Sequence, residues 1–339
     1  MPLFPPSPLP NQVPIFNSAC PWASSAEDLK ALWECDETSA VTTRTCTLRG
    51  FEDDQERHQM TFFGPSAQSS SNSYGYSPHP LSQYLDWIRP FLLSASKEKK
   101  ESKRVIVSIT GTVEETEEML GRLGEFAGEV GVVLGVEFNA SCPNFRGHPP
   151  PAYVESELSQ YLSLLARYAS PSLKVGVKLP PYTYDGQFDT VSRALSSVKG
   201  NGAEGEGEHP ITFLTATNTL GQGLVFTEQI TDVPSQPFAQ KSSKPDLFAL
   251  PGGWGGLAGA AVHQTALGNI HRLSRLLHHS PQSDPRLKSI TLIGVGGACD
   301  AMGVERFRRA GAGAVACATG LGREGLEVFR KMKQPLSKL

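Results

Sequence analysis

The sequence predicts an α/β fold, specifically a closed (β/α)8 TIM barrel. Three observations carry this. Eight short apolar, strand-like runs alternate with eight longer helix-like runs. Strict alternation of that kind implies parallel strands joined by helical crossovers. Eight such units within about 320 residues match the size of a closed barrel. An open doubly wound sheet is the alternative, and against it no strand is followed by a G-x-G-x-x-G fingerprint. The barrel is expected over about residues 14–333, as a single domain spanning 1–339.

The first unit pairs the strand Pro14–Ala19 with the helix SAEDLKALWEC, where Ser25 is a natural N-cap with Asp28 three residues on. The second pairs Ala40–Thr45 with PLSQYLDWIRPFLLS after a long polar loop, and the third pairs Arg104–Thr110 with VEETEEMLGRLGEF. The charged run Lys97–Arg104 before that third strand reads as a solvated loop. The fourth strand, Val133–Ala140, leads to ESELSQYLSLLARYA, whose Leu158, Tyr161, Leu162 and Leu165 fall on one helical face. Leu173–Leu179 and FDTVSRALSSV form the fifth unit. Ile211–Asn218 is followed by a Gly-rich excursion and QTALGNIHRLSRLL. Ile290–Gly296 with DAMGVERFRRAG and Ala314–Thr319 with REGLEVFRKMK complete the set.

Composition narrows the function. At 39% hydrophobic and 19% charged the chain can build a sizeable core. A net charge of −3 gives no broad basic surface, so nucleic acid is not the expected partner. The N-terminus MPLFPPSPLP has neither a basic n-region nor an apolar run, and no stretch reaches the roughly 18 apolar residues of a membrane span. Six cysteines (20, 35, 46, 142, 299 and 317) include no C-x-x-C pair, which fits free thiols in a reducing cytoplasm. The eight histidines form no metal-ligand spacing, most are read as surface residues, and no metal is inferred.

Barrel enzymes place their chemistry on the loops after each strand, so the strand ends carry the functional reading. The fourth strand ends in Asn139-Ala140-Ser141-Cys142-Pro143-Asn144, where two amides and a thiol follow an apolar run. A thiol on that face between two Asn reads as functional rather than as a structural Cys. In the fifth strand, Val175, Val177 and Leu179 alternate with Gly176 and Lys178, so Lys178 can point into the barrel. A buried ammonium needs an anionic or strongly polar partner, and a cofactor anion would supply one. An end-of-strand Lys that reaches back to water is the alternative. The sixth strand ends in Thr217-Asn218-Thr219, side chains able to read the edge of a heterocycle, though an Asx turn explains the motif almost as well. Glycines gather in Gly252–Gly259, Gly294–Gly297 and Ala318-Thr319-Gly320. The last two follow strands seven and eight, the usual phosphate site of this fold.

The segments VEFNASCPNFRGHP, VGVKLPPY, TATNTLGQGL, WGGLAGAAVHQTALGNI and IGVGG together resemble the soluble, cytosolic, fumarate-reducing dihydroorotate dehydrogenases, from about Pro14 to Lys333. The related dihydropyrimidine dehydrogenase domain is expected to carry His where Asn144 stands, and the membrane-bound class Ser where Cys142 stands. The resemblance implies non-covalent FMN, dihydroorotate and fumarate as small-molecule substrates, a homodimer, and no membrane anchor. It implies that Cys142 is the catalytic base and that Lys178 lies against the flavin N1/O2 edge. Asn72, Ser73, Tyr74 and Gly75, with Tyr76 beside them, would match the substrate-gripping Asn-Ser-x-Gly stretch. Asn139, Asn144, Asn218 and Thr219 would complete the grip on the pyrimidine ring. Ala19, Thr45, Gly259, Gly296, Gly297, Ala318 and Thr319 would contact the flavin, the last four around its phosphate.

Two departures stand out. Arg44, between Thr43 and Thr45, occupies a position where the best-known members carry Lys, and it is expected to bind the substrate carboxylate or the flavin edge. A pairing with an acid of the loop carrying Glu52, Asp53 and Asp54 is the alternative. The Asn-Pro-x-Pro-Arg stretch of the family is replaced by GFEDDQERHQM. The segments 200–209 and 235–250 are expected to be surface additions. The alternatives to the dehydrogenase are a paralogue acting on a related ring and a non-catalytic flavin-binding barrel.

Overall fold

The structure is a computed structural model, and it describes residues 2–5, 12–141, 149–199, 207–231, 247–281 and 284–335. Ile15–Asn17 (β1) and Ala40–Thr42 (β2) begin a barrel, with Ala26–Glu34 (α1) between them. Met60–Phe63 (β3) and Ser69–Asn72 (β4) stand outside it and are followed by Leu81–Ser94 (α2) and Lys97–Ser102 (α3). Barrel strands Arg104–Ile109 (β5), Leu134–Asn139 (β6), Leu173–Leu179 (β7) and Ile211–Ala216 (β8) alternate with Val113–Val130 (α4), Glu155–Tyr168 (α5) and Asp185–Ser196 (α6). Leu220–Leu224 (β9) and Trp254–Gly259 (β10) leave the barrel again before His263–Ser274 (α7). Thr291–Val295 (β11), Ala301–Ala310 (α8) and Ala314–Cys317 (β12) close it, and Thr319–Glu324 (α9) and Glu327–Met332 (α10) finish the chain.

The eight barrel strands pair in parallel in the order β1-β12-β11-β8-β7-β6-β5-β2, which is the expected TIM barrel. The long loop after β2 and the excursion after β8, both expected to be irregular, instead join as an antiparallel sheet of order β3-β4-β10-β9. That sheet stands at the end of the barrel where the strands point. Its sequences SSSN and LGQGL have no apolar alternation, so backbone pairing and not patterning holds them in register.

The interior of the barrel is graded. Its base is apolar, with Phe16, Ile106, Phe213, Ile293 and Ala314 packed around Leu3 and Phe4, which plug it from below. Arg104 Nε donates to the Leu3 carbonyl at 3.0 Å and anchors the plug. Gly176 is required here, because a Cβ on it would lie 2.4 Å from the Phe213 ring. Towards the strand ends the inward side chains turn polar: Ser108, Glu137, Asn139, Lys178 and Thr215, all buried.

Some expectations change. The KEKKESKR run is not a loop: Ser96 caps α3 by accepting from Lys99 N–H at 3.2 Å. Lys103 is buried, its ammonium held by the carbonyls of Leu32 and Cys35 and by Thr38 Oγ1 at 2.8, 2.6 and 2.6 Å. The last helix is broken at Gly325, whose φ of +61° ends α9. Of the described histidines, His209 and His263 are buried and the rest are not, in keeping with most being read as surface residues. Residues 200–206 and 235–246 lie outside the described residues.

Candidate functional site

The strand ends and the accessory sheet enclose one deep cleft of about 1010 Å³ of empty space, open solvent at its mouth included. Of the sequence-predicted residues, the structure brings together Ala19, Arg44, Thr45, Asn72, Tyr74, Gly75, Tyr76, Asn139, Lys178, Asn218, Thr219, Gly259, Gly296, Gly297, Ala318 and Thr319 around it. Ser73 is not in the wall. Its hydroxyl donates to the Arg57 carbonyl at 2.6 Å and accepts from Gln59 N–H at 3.1 Å, tying the loop before β3 to the end of β4. Cys142 and Asn144 lie outside the described residues.

Arg44 and Thr45 are consecutive, yet both reach the cleft, which a regular strand forbids. Pairing explains it. Thr42 stands opposite Ile106, while Cys46 stands opposite Ile109. The β2 side spends four residues where β5 spends three, so one residue bulges and redirects the chain. The bulge also shortens β2 from the expected Ala40–Thr45 to Ala40–Thr42.

The described wall carries two cations, Arg44 and Lys178, and no Asp or Glu. Lys178 is only 4% exposed, and its Nζ donates to Ser18 Oγ at 2.9 Å. Among the described residues no carboxylate pairs with it. Arg44 is buried with its guanidinium 5.1 Å from the centre of the Tyr74 ring. Its Nη2 has no hydrogen-bond partner among the described residues, and Thr217 Oγ1 is buried in the same condition. Asp53, weighed as a partner for Arg44, instead meets His58 Nδ1 at 2.9 Å, and Asp54 pairs with Arg57 at 3.2 Å. Buried donors without acceptors are costly unless a ligand satisfies them.

One end of the cleft is pure backbone. Gly259, Gly296 and Gly297 have φ of +70°, +136° and +78°. A Cβ on Gly259 would lie 2.2 Å from the Gln68 carbonyl, and one on Gly297 would lie 2.8 Å from the Gly259 carbonyl. The ends of β10 and β11 close on each other only because both are bare. Thr319 opens α9 beside them, with Ser70 Oγ 2.9 Å from its Oγ1. The N-terminus of α8 is satisfied internally, since Asp300 accepts from Gly303 N–H at 2.7 Å. The cradle is therefore formed by the glycine loops and the start of α9. Taken with two buried cations that meet no carboxylate among the described residues, it fits a phosphate-bearing anionic cofactor.

At the other end Asn139 and Asn218 are joined through Ser141. Asn218 Nδ2 donates to Ser141 Oγ at 3.0 Å, and Ser141 Oγ donates to Asn139 Oδ1 at 2.9 Å. The amides present a fixed set of donors and acceptors able to read a polar ring. Thr217, singled out with Asn218 and Thr219 at the end of the sixth strand, is in the wall, while the reading from sequence missed Ser18, Trp22, Met60 and Ser70. Ser18 follows a strand end and was within reach of the strand-end rule. Met60 and Ser70 belong to the accessory sheet, which no pattern announced. Cys20 also lines the cleft, but burial pushes its thiol up to about 12, so it stays protonated near neutral pH.

The family described as dihydroorotate dehydrogenase matches residues 11–339. The dihydroorotate dehydrogenase (fumarate) of Trypanosoma cruzi is 28% identical over 325 residues, covering 95% of this chain and 88% of that protein. The Trypanosoma brucei brucei protein of the same name is 28% identical over 332 residues, covering 96% and 89%. Dihydroorotate dehydrogenase A (fumarate) of Lactococcus lactis subsp. lactis is 26% identical over 329 residues, covering 96% and 90%.

Proposed function

The chain belongs to the dihydroorotate dehydrogenase family, a family of flavoproteins, and on that premise we propose that its cleft oxidises dihydroorotate to orotate against a bound FMN, with fumarate as the acceptor. The observation that carries this reading is the pairing of two buried cations, which meet no carboxylate among the described residues, with a bare-backbone cradle in one cleft. A cofactor ending in one phosphate suits that compact cradle.

Gly259, Gly296 and Gly297, with Ala318 and Thr319, hold the phosphate. Lys178, Thr45, Asn139 and Ala19 line the ring system. Asn72, Tyr74, Gly75, Tyr76, Asn139, Asn144, Asn218 and Thr219 hold the substrate ring, and Arg44 takes its carboxylate through two parallel bonds. Cys142 removes the proton from C5 of dihydroorotate. FMN supplies the acceptor for the hydride from C6. Orotate then leaves, and fumarate, also a carboxylate, occupies the same cationic site.

Among the described residues no helix is long and apolar enough to cross a membrane. We read the barrel of about 14–333 as one domain, acting in the cytoplasm as a homodimer. The test is anaerobic mixing of the FMN-loaded protein with dihydroorotate while flavin absorbance is followed. Bleaching of the visible flavin absorbance is expected. A protein that keeps its colour with dihydroorotate but bleaches with another cyclic substrate is a paralogue. One that binds FMN and bleaches with neither is a non-catalytic barrel.

A further inference from the structure

Glu137 is a carboxyl group inside the barrel, only 3% exposed and absent from the cleft wall. One hydrogen bond follows another from it to the cleft. Ser108 Oγ donates to Glu137 Oε1 at 3.2 Å. Thr45 Oγ1 lies 2.9 Å from Ser108 Oγ. The single Ser108 proton is committed to Glu137, so Thr45 must be the donor in that contact. Thr45 Oγ1 in turn accepts from Asn139 Nδ2 at 3.1 Å. Asn139 Oδ1 accepts from Ser141 Oγ at 2.9 Å and from Asn218 Nδ2 at 3.3 Å. Every bond points the same way, toward Glu137. The Ser141 backbone N–H, which can only donate, also meets Asn139 Oδ1, at 3.2 Å, and so agrees with that direction.

We propose that Glu137 is a positioning residue that, through Ser108 and Thr45, fixes which way the Asn139 and Asn218 amides face the substrate. This rests on the family reading for the identity of the substrate. A buried acceptor at the base of a chain of hydroxyls polarises each link, and an amide half-turn would set donor against donor. Both amides are thereby held in one orientation before the ring arrives, so the substrate need not order them.

The test uses FMN-loaded wild type, Glu137→Gln, Ser108→Ala, the double variant and Ser108→Thr, titrated with orotate by its perturbation of flavin absorbance. FMN affinity is measured separately by fluorescence quenching. Each single variant weakens orotate by roughly tenfold. The double variant loses no more than either single, because both cut the same chain. Ser108→Thr, which keeps the hydroxyl, recovers most of the loss, and FMN affinity falls much less than orotate affinity throughout. Unchanged orotate affinity, additive losses, or an equal loss of FMN overturns the proposal. If wild type takes up no orotate, the family reading fails on its own, and crystal structures of Glu137→Gln and Ser108→Ala decide the inference. Asn218 Nδ2 leaving Ser141 Oγ sustains it, and an unchanged contact overturns it.

Discussion

The Lys178 ammonium donates to the Ser18 hydroxyl at 2.9 Å, joining residues 160 apart in sequence across the mouth of the barrel. Ser18 is a neutral partner, so among the described residues the buried ammonium meets a hydroxyl and no carboxylate. Without a ligand that arrangement costs stability. Lys178→Met is therefore expected to raise the melting temperature of the FMN-free protein. The same variant should weaken FMN by about 1.5–3 kcal/mol, the scale of a charged hydrogen bond. It should also move the flavin midpoint potential to a more negative value. Calorimetry of the apoprotein and a spectroelectrochemical titration check the two signs, and a variant that destabilises both forms equally would make Lys178 merely structural.

The glycine cradle gives a second prediction. Gly259→Ala sets a methyl 2.2 Å from the Gln68 carbonyl at a φ of +70°. Gly297→Ala sets one 2.8 Å from the Gly259 carbonyl at a φ of +78°. Each is expected to cost about 1–3 kcal/mol of stability through overpacking and to purify with little or no FMN. Gly121→Ala, on α4 with nothing within 4 Å of the added carbon, is the control and should retain both stability and colour.

What sequence could read followed from periodicity. The strand β7 matches its expected bounds, Leu173–Leu179, because valines alternating with Gly176 and Lys178 specify both the strand and its inward face. Ser25 was legible as a cap because its partner is local, and the Asp28 N–H does meet its Oγ at 3.1 Å. The accessory sheet was not legible, since Ser69–Ser71 gain strand geometry only from β3 and β10 on either side. Lys103 looked like part of a solvated run. Its burial depends on three acceptors from Leu32, Cys35 and Thr38, some seventy residues earlier, which local pattern does not reveal. His209 is similar. Its ring sits between Leu195 O and the Ile211 backbone, and burial holds its pKa below the ordinary value. Asn139, Lys178, Thr217, Asn218 and the glycines after the last strands were readable because barrel enzymes build the wall from strand ends, whereas Ala19, Thr45, Asn72, Tyr74, Gly75 and Tyr76 came from the family resemblance. The bulge at Arg44 was not, because an added residue is defined only against its partner strand.

Cys142 was assigned from its motif, and the structure narrows the competition. Cys20 is the described thiol lining the cleft, and burial pushes it up to about 12, as it does Cys46 and Cys317 elsewhere. A base must lose its proton near neutral pH to act. Cys142→Ala is expected to keep FMN and to slow flavin reduction by dihydroorotate by on the order of 10²–10⁴. Cys20→Ser should reduce it far less. Stopped-flow reduction of both variants separates them, and a fast Cys142→Ala protein would reassign the base.

Arg44 tests the substrate most directly. It is buried, it follows a bulge that turns it into the cleft, and its Nη2 lacks a partner among the described residues. Two of the three loop acids weighed against it are engaged elsewhere, Asp53 with His58 and Asp54 with Arg57. The Tyr74 ring centre lies 5.1 Å from the guanidinium carbon, within cation–π range. A planar fork matches a carboxylate better than a point charge does. Arg44→Ala is expected to raise the KM for dihydroorotate and the Kd for orotate by about 1.5–3 kcal/mol while FMN stays bound. Arg44→Lys should recover part of that, because it restores charge without the fork. Tyr74→Leu should lose less than Arg44→Ala, since the cation remains and only its orientation relaxes. Steady-state kinetics with orotate titrations order the three variants. Equal kinetics for Arg44→Ala and wild type would make Arg44 a structural residue and leave the carboxylate to Lys178.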